Sequence, residues 1–205
     1  MNTPGTIRIV LVEDQTLVLG ALAALIDLES DLQVIGRAAN GSDAKSLITR
    51  ERPDVVMSDI EMPGISGLEL AQWIAKEDLP CQTIILTTFD RPGYVRRALD
   101  IGVRGFLLKD SPAEKLADAI RTVHRGGRCV DPELALRAWD EKDPLSDRER
   151  QVLRLAGQGH TSSEIAQSLH LTPGTIRNYL SEAIGKLGAS NRVEAARLAR
   201  QKGWL

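Results

Sequence analysis

Five polar side chains of this sequence stand directly after short apolar runs. Such runs form the buried strands of parallel sheets, and ligands bind in the crevice beyond the carboxyl ends of those strands. Each side chain alone has an ordinary interpretation as a helix cap, a turn residue or a solvated charge, but their shared position at strand ends favours a site. The five are Glu13, Asp14, Asp59, Thr87 and Lys109.

The chemistry of these groups indicates phosphoryl transfer. Three clustered carboxylates repel one another unless a hard cation lies between them, and Mg²⁺ prefers oxygen ligands while it shares phosphate oxygens. Lys109 supplies a positive charge for one phosphoryl oxygen, and the Thr87 hydroxyl can donate a hydrogen bond to another. Because phosphoryl transfer depends mainly on positioning and charge neutralisation, we predict that Asp59 is the nucleophile and forms an acyl phosphate.

Strands alternate with helices in the first part of the chain, which predicts an α/β fold with a doubly wound five-stranded parallel sheet. The predicted strands cover residues 7–12, 32–36, 55–58, 83–86 and 105–108, and a helix follows each of them. The first helix carries apolar residues at helical spacing, which we expect to lie on one side of the helix: Leu17, Leu19, Leu22, Leu25 and Ile26.

The same residues stand in motifs that resemble bacterial response-regulator receiver domains: Glu13-Asp14, Asp59 with Met62-Pro63-Gly64, Thr87, and the segment GFLLKD at 105–110. The resemblance covers residues 6–125 and implies a flavodoxin-like fold. The alternative is a haloacid-dehalogenase-type phosphatase, which also phosphorylates an aspartate. That class places its nucleophile after the first strand, with a second aspartate two residues on, whereas Asp59 follows the third strand and Glu61 stands two residues later.

The receiver resemblance implies a role for each residue of the crevice. Asp59 would be the phosphoacceptor, and Glu13, Asp14 and Asp59 would hold Mg²⁺ together with the main-chain carbonyl of Glu61. Three further residues would contact the phosphoryl group or change position with it, and these are Thr87, Phe106 and Lys109.

Charge is distributed unevenly along the chain. Residues 144–205 contain 9 Lys and Arg against 5 Asp and Glu, a net charge of +4, whereas the preceding residues carry a net charge of −6. This asymmetry suggests different partners for the two parts. Cys81 and Cys129 lack metal-ligand spacing, and the sequence has no secretory signal or bilayer-spanning apolar segment, so we expect a cytoplasmic protein without membrane insertion.

The second part of the chain, from residue 145 onward, predicts helices only. Capping boxes begin its first two helices, at Ser146 with Glu149 and at Thr161 with Glu164, and Pro173 begins a longer third helix. A short helix, a tight turn and a longer helix form the helix-turn-helix pattern, whose second helix enters the major groove of DNA. A four-helix packing module without DNA binding has the same pattern, so the pattern alone leaves both interpretations open.

Four segments of this part resemble the LuxR-type DNA-binding domain: PLSDRE at 144–149, EIAQSL at 164–169, TIRNY at 175–179 and KL at 186–187. Paired with a receiver domain, they indicate the NarL/FixJ class of response regulators. In the third helix, the spacing of four apolar residues predicts that they face the core, namely Ile176, Leu180, Ile184 and Leu187.

The opposite face of the third helix carries side chains that suit the bases of DNA, since Arg recognises guanine edges and Asn adenine edges. Other polar residues of this part lie near helix ends and suit phosphate contacts. The predicted base-reading residues are Arg177, Asn178 and Ser181. The predicted phosphate contacts are Thr161, Ser162, Thr175, Lys186 and Arg192.

The two resemblances together imply a transcription regulator and not an enzyme with an external substrate. The protein would accept a phosphoryl group from a cognate sensor histidine kinase, and phosphorylation would promote homodimerisation and binding to promoter DNA. RNA polymerase could be a further partner. The predicted boundaries are 6–125 for the receiver, 126–143 for a linker with a helical piece at 132–139, and 144–205 for the DNA-binding domain. The competing interpretation is an interaction module whose helical part binds protein.

Overall fold

The computed structural model describes residues 5–88, 92–130 and 143–205, and the chain divides into two compact units. One unit, called the sheet unit below, contains a parallel sheet. The other, called the helical unit, contains the last four helices. The helical piece predicted at 132–139 lies outside the described residues. Within the described ranges, no helix combines the length and the apolar character needed to cross a membrane.

Short apolar runs form six parallel strands in the order β2-β1-β3-β4-β5-β6. Every residue of β3 is buried, as expected for a central parallel strand that is covered on both faces. The strands are β1 at Ile7–Val12, β2 at Leu32–Ala38, β3 at Val55–Ser58, β4 at Gln82–Thr87, β5 at Gly105–Leu108 and β6 at Cys129–Val130.

The sixth strand was not predicted, because the sequence indicated five strands and a linker from residue 126. β6 is only two residues long, so it carries no periodicity from which a strand could be recognised. Its position depends on long-range pairing instead: Cys129 lies opposite Gly105 in β5, and the Cys129 amide donates to the Arg104 carbonyl oxygen at 2.8 Å.

Helices cover both faces of the sheet. On one face, Ile26 and Ile120 join the core around Ile9, and on the other, Ile48 and Ile74 pack with the second apolar layer of the strands. The helices of this unit are α1 at Thr16–Ile26, α2 at Gly41–Glu51, α3 at Gly67–Lys76, α4 at Pro92–Ile101 and α5 at Ala113–His124.

The packed side of α1 differs from the prediction. Ala23 and Ile26 are buried, but the side chains of Leu17 and Leu25 are 87% and 42% exposed, so the prediction that these two leucines lie on the same side as Ile26 is wrong. The segment from residue 16 to 26 contains no charged residue at all. Without a polar face, the spacing of its apolar residues does not define which side is buried.

In residues 143–205, which the structure describes, the helical unit forms four capped helices around its own apolar core. Ser146 and Thr161 cap the first two helices through complete capping boxes, and Thr172 caps the third, with Pro173 as its first residue. Val152, Ile165 and Ile176 are fully buried at the centre of this core. The helices are α6 at Asp147–Gly157, α7 at Ser162–Leu169, α8 at Pro173–Leu187 and α9 at Arg192–Gln201.

Candidate functional site

Three carboxylates and one lysine meet at the carboxyl edge of the sheet. Glu13 and Asp14 follow β1 and Asp59 follows β3, and one oxygen atom of each carboxylate lies within 4.8 Å of the others. Lys109 follows β5, and its Nζ atom is 2.6 Å from Glu13 Oε2 and 3.0 Å from Asp59 Oδ2. The sheet therefore brings these four predicted site residues together.

The backbone of Asp59 is held on several sides. Its amide donates to the Val12 carbonyl oxygen at 2.9 Å, and the Ile60 amide donates to Asp59 Oδ1 at 2.7 Å. Ser58 Oγ donates to the Asp59 carbonyl oxygen at 2.9 Å. A Cβ atom at Gly67 would lie 1.9 Å from that same carbonyl oxygen, so only glycine fits where α3 begins.

Ser58 and Gly67 were not predicted as site residues, because neither carries chemistry of its own. Their contacts act on the main chain of Asp59, which no sequence pattern reveals. The close approach of α3 to the Asp59 carbonyl oxygen depends on the folded structure. Both residues lie against the main-chain carbonyl group of Asp59, and the side-chain oxygen Oδ2 of Asp59 lies against Lys109.

The electrostatics of this cluster are unbalanced, since three carboxylates face one lysine. The Asp59 side chain is 6% exposed, and burial raises its pKa above the ordinary value, an effect that Lys109 only partly offsets. Burial would lower the pKa of Lys109, but the adjacent carboxylates of Glu13 and Asp59 outweigh this effect and the pKa is raised. A set of oxygen donors with surplus negative charge fits a divalent cation such as Mg²⁺.

The remaining predicted residues of this unit lie around the same edge. Thr87 ends β4 and is fully buried, and its carbonyl oxygen accepts the amide of Lys109 at 2.8 Å. Phe106 is buried within β5, and Glu61 is exposed in the loop after Asp59. The positive φ of Gly64, +76°, turns this loop back toward α3. Their roles in phosphoryl contact stay predictions.

The third helix of the helical unit, α8, has the two faces that its sequence predicts. Ile176 and Leu180 are buried, whereas Arg177, Asn178 and Ser181 are exposed on the other face. An exposed row of this kind on the second helix of a helix-turn-helix is available to the major groove. Base reading by these three residues stays a prediction.

The predicted phosphate contacts differ in their surroundings. Thr161 Oγ1 accepts the Glu164 amide as the cap of α7, and the Thr175 amide donates to Thr172 Oγ1 at the start of α8. Ser162 and Arg192 are the first residues of α7 and α9 and are partly exposed. Lys186 is different, because its Nζ atom lies 2.7 Å from Glu149 Oε1 and 2.8 Å from Oε2.

Comparison with known proteins agrees with both units. The family model described as a response regulator receiver domain matches residues 9–121, and the model for bacterial regulatory proteins of the luxR family matches residues 143–199. The chain is 48% identical over 198 residues to the transcriptional regulatory protein DesR of Bacillus subtilis (strain 168), covering 97% of this chain and 98% of that protein.

Two further proteins are similar over almost their whole length. The transcriptional regulatory protein YvfU of the same organism is 49% identical over 199 residues, which covers 97% of this chain and all of that protein. Among solved structures, the response regulator ChrA of a heme-sensing two-component system is 33% identical, with a TM-score of 0.57, 98% of this chain covered and 100% of that chain.

The sheet unit with its acidic edge and the helical unit with its helix-turn-helix thus define a class of protein. The chain belongs to the two-component response regulators that join a receiver domain to a LuxR-type DNA-binding domain. Within that class its relatives are transcriptional regulatory proteins, so the protein is a transcription regulator and not an enzyme that acts on an external substrate.

Proposed function

We propose that Asp59 accepts a phosphoryl group from the phosphohistidine of a sensor kinase, and that phosphorylation favours a dimer that binds promoter DNA. The observation that carries this proposal is the position of Asp59 Oδ2, 3.0 Å from Lys109 Nζ within the carboxylate cluster. A cytoplasmic location is part of the proposal, because the phosphohistidine of a sensor kinase and the promoters of the chromosome both lie in that compartment.

The proposed transfer forms a bond between phosphorus and a carboxylate oxygen of Asp59. It breaks the bond between phosphorus and the kinase's histidine nitrogen, which keeps the electron pair. Asp59 must be ionised to attack, and the ammonium group of Lys109 favours that form. In the product, Lys109 and the Thr87 hydroxyl would each contact a phosphoryl oxygen, and Phe106 would change its rotamer when Thr87 moves.

The residues that would hold Mg²⁺ are Glu13, Asp14, Asp59 and the main-chain carbonyl of Glu61. The surplus negative charge of the cluster and its oxygen-only donors support this choice. Mg²⁺ bound there supplies positive charge to the transferring phosphoryl group, which is the main catalytic requirement of the reaction.

The variant Asp59→Asn tests the phosphoacceptor. With Mg²⁺ and radiolabelled acetyl phosphate, the wild-type chain should acquire label that is lost in mild base, as an acyl phosphate is, and the variant should acquire none. Asp110→Asn is the matched control, since it removes an exposed carboxylate next to Lys109 and should label normally. Base-labile label on Asp59→Asn would place the phosphoacceptor elsewhere.

For DNA, we propose that Arg177, Asn178 and Ser181 read bases in the major groove, while Thr161, Ser162, Thr175 and Arg192 contact phosphates. The exposed face of α8 and the net positive charge of residues 144–205 support this assignment.

Arg177→Ala tests base reading. A duplex enriched by in vitro selection with the wild-type chain should lose about 1–3 kcal/mol of binding free energy, while a scrambled duplex of equal length loses little. Equal losses on both duplexes would make Arg177 a backbone contact. If the wild-type chain enriches no duplex and shows no salt-dependent affinity, the helical unit binds protein instead.

The exposed apolar side of α1 is the surface that we propose for dimerisation. Leu17, Leu25 and Leu28 are 87%, 42% and 80% exposed, and residues 16–26 carry no charge. In a two-fold symmetric dimer the same surface of both copies takes part, so the surface must be complementary to itself. An apolar surface without charged side chains meets this requirement, and a second copy of this chain is therefore the occupant that fits it.

Leu17→Lys tests this surface. In the presence of beryllofluoride, a phosphoryl mimic, and Mg²⁺, the wild-type chain should sediment as a dimer and the variant as a monomer. Ser46→Lys is the control, because it places the same charge on an exposed position of α2, which covers the opposite face of the sheet. A Leu17→Lys variant that still dimerises would place the contact on another surface.

A further inference from the structure

Glu149 is the most buried carboxylate of the helical unit's described residues, with 1% of its surface exposed. It occupies the third position of α6, where it accepts the Ser146 amide at 2.6 Å and completes the capping box. Both of its oxygens also accept hydrogen bonds from Nζ of Lys186, at 2.7 and 2.8 Å. Lys186 lies in the last turn of α8, 37 residues away in sequence.

We propose that Lys186 positions the recognition helix α8 by binding Glu149, and that it is not a contact to the DNA backbone. This inference rests on the proposed contact of α8 with DNA. The pair joins the last turn of α8 to the first turn of α6. It thereby fixes the direction in which α8 presents Arg177 and Asn178 at its other end.

The burial of Glu149 is what ties Lys186 to this role. A buried carboxylate needs a cation or enough hydrogen-bond donors, and Lys186 supplies two of the hydrogen bonds that Glu149 accepts. Burial alone would raise the pKa of Glu149, but the hydrogen bonds from Lys186 and Ser146 outweigh it and hold the pKa below the ordinary value. Moving Lys186 to a DNA phosphate would leave this carboxylate buried without its cation, which opposes that contact.

The other capping carboxylates of the unit show that the lysine is not part of the cap itself. Glu164 occupies the same position on α7, is exposed, and accepts from the amide and the hydroxyl of Thr161. Glu194 on α9 accepts from the amide and the hydroxyl of Ser190. Each of these caps is complete without a lysine, so the Lys186 contact adds a connection between two helices.

The test measures DNA affinity against salt concentration for the full chain with beryllofluoride and Mg²⁺. The probes are the duplex enriched with the wild-type chain and its scrambled counterpart. The variants are Glu149→Gln, Lys186→Met and the double variant. Glutamine at position 149 keeps the acceptor that the capping box needs. The double variant leaves no buried charge unpaired, so its binding can still be measured if Lys186→Met does not fold. Glu194→Gln is the matched control at another capping position.

If Lys186 acts through Glu149, each single variant should bind the enriched duplex about tenfold more weakly, because each one removes the ion pair that connects α8 to α6. The double variant should bind no more weakly than either single variant. The slope of affinity against salt should equal that of the wild type in all three, and Glu194→Gln should behave as the wild type.

A phosphate contact predicts a different pattern. In Lys186→Met and in the double variant, the slope of log affinity against log salt concentration would become shallower by about 0.9, which is the value for one phosphate contact. Both variants would also bind the two duplexes more weakly, and by the same factor. Glu149→Gln would keep wild-type affinity. That pattern overturns the inference. If the wild-type chain enriches no duplex at all, the proposed DNA binding fails, which is a distinct result.

Discussion

Among the residues that the structure describes, two lysines contact buried carboxylates, and their surroundings differ in charge balance. Lys109 in the sheet unit lies between Glu13 and Asp59, with Asp14 beside them, so one positive charge faces three negative ones. Lys186 in the helical unit faces Glu149 alone. The pKa of Asp59 is raised, whereas that of Glu149 is lowered. The unbalanced cluster therefore favours a further cation or a proton, while the balanced pair is complete.

This difference in charge balance separates a reactive site from a structural one. Both lysines would count as buried ion pairs, and a buried ion pair alone is weak evidence for stability or for function. The direction of the carboxylate's pKa shift is the distinguishing property, because it reports whether the fold favours or opposes the charge that is present. Substitutions of the two lysines and of their carboxylate partners test this distinction.

The largest effect is expected for Lys109→Met in a magnesium-free buffer. Removing the lysine leaves Glu13 and Asp59 close together without a cation, and the free energy of unfolding of the sheet unit should fall by about 3–5 kcal/mol. Native-state hydrogen exchange of strand amides such as Val10 and Val56 in the full chain measures this. Lys115→Met, at an exposed lysine of α5, should change exchange little. Equal losses in both variants would mean that the cluster is not under electrostatic strain.

Addition of Mg²⁺ should have the next largest effect, and on one unit only. A cation that binds the folded state at a hundred times its dissociation constant stabilises it by about 2.7 kcal/mol. Strand amides of the sheet unit should gain this protection, and core amides of α6 and α8 should gain none, because Glu149 already has its cation. The helical unit is thus the internal control. Asp14→Asn should weaken the gain, and protection of both units alike would argue against a site at Asp14.

Lys186→Met should cost less, roughly 1–2 kcal/mol, and only in the helical unit. The carboxylate of Glu149 is buried, but the Lys186 side chain is 41% exposed, so solvent screens part of the interaction. Urea unfolding, read by pulsed hydrogen exchange of core amides such as Leu153 and Ile176, measures the loss. Arg197→Met, at an exposed residue of α9, is the control. A larger loss than for Lys109→Met would reverse the comparison.

The two clusters also differ in how far the sequence predicts them. Glu13, Asp14, Asp59 and Lys109 each follow a recognisable apolar run, and the geometry of a parallel sheet brings the ends of such runs together. Their proximity was therefore predictable without a structure. The structure places Lys109 Nζ within hydrogen-bonding distance of Glu13 and Asp59, and one oxygen atom of Asp14 lies within 4.8 Å of an oxygen atom of each of these two carboxylates.

The contact between Glu149 and Lys186 was not predictable in this way. Local sequence patterns describe one helix at a time. They therefore predict Glu149 as a capping residue and Lys186 as a phosphate contact, but not the contact between the two side chains. The packing of α6 against α8 is what joins them. The same limit explains α1, where Leu17 and Leu25 are exposed, and β6, whose two residues are defined by their pairing with β5.

The smallest effect is expected for the dependence of the free energy of unfolding on pH, where the two carboxylates should act in opposite directions. The lowered pKa of Glu149 means that the unfolded carboxylate takes up a proton first, so its stabilisation is complete above the ordinary value of 4.5 and is lost as the pH falls through the folded value. The raised pKa of Asp59 has the opposite sign. The folded state takes up the proton first, so the cost of its charge is relieved as the pH falls from above the folded value toward the ordinary 3.8.

Comparing each wild-type unit with its neutral variant isolates these two contributions. In magnesium-free buffer, the advantage of Asp59→Asn over the wild type in the sheet unit should shrink as the pH falls through the folded pKa of Asp59. The disadvantage of Glu149→Gln in the helical unit should persist as the pH falls to 4.5 and shrink only below that value. Urea unfolding at each pH, read for both units by an exchange pulse at one fixed pH, gives both curves. If both differences in the free energy of unfolding changed in the same direction with pH, the Asp59 carboxylate would be stabilised by Lys109 just as the Glu149 carboxylate is by Lys186. The charge balance would then no longer distinguish the cluster around Asp59 as the reactive one.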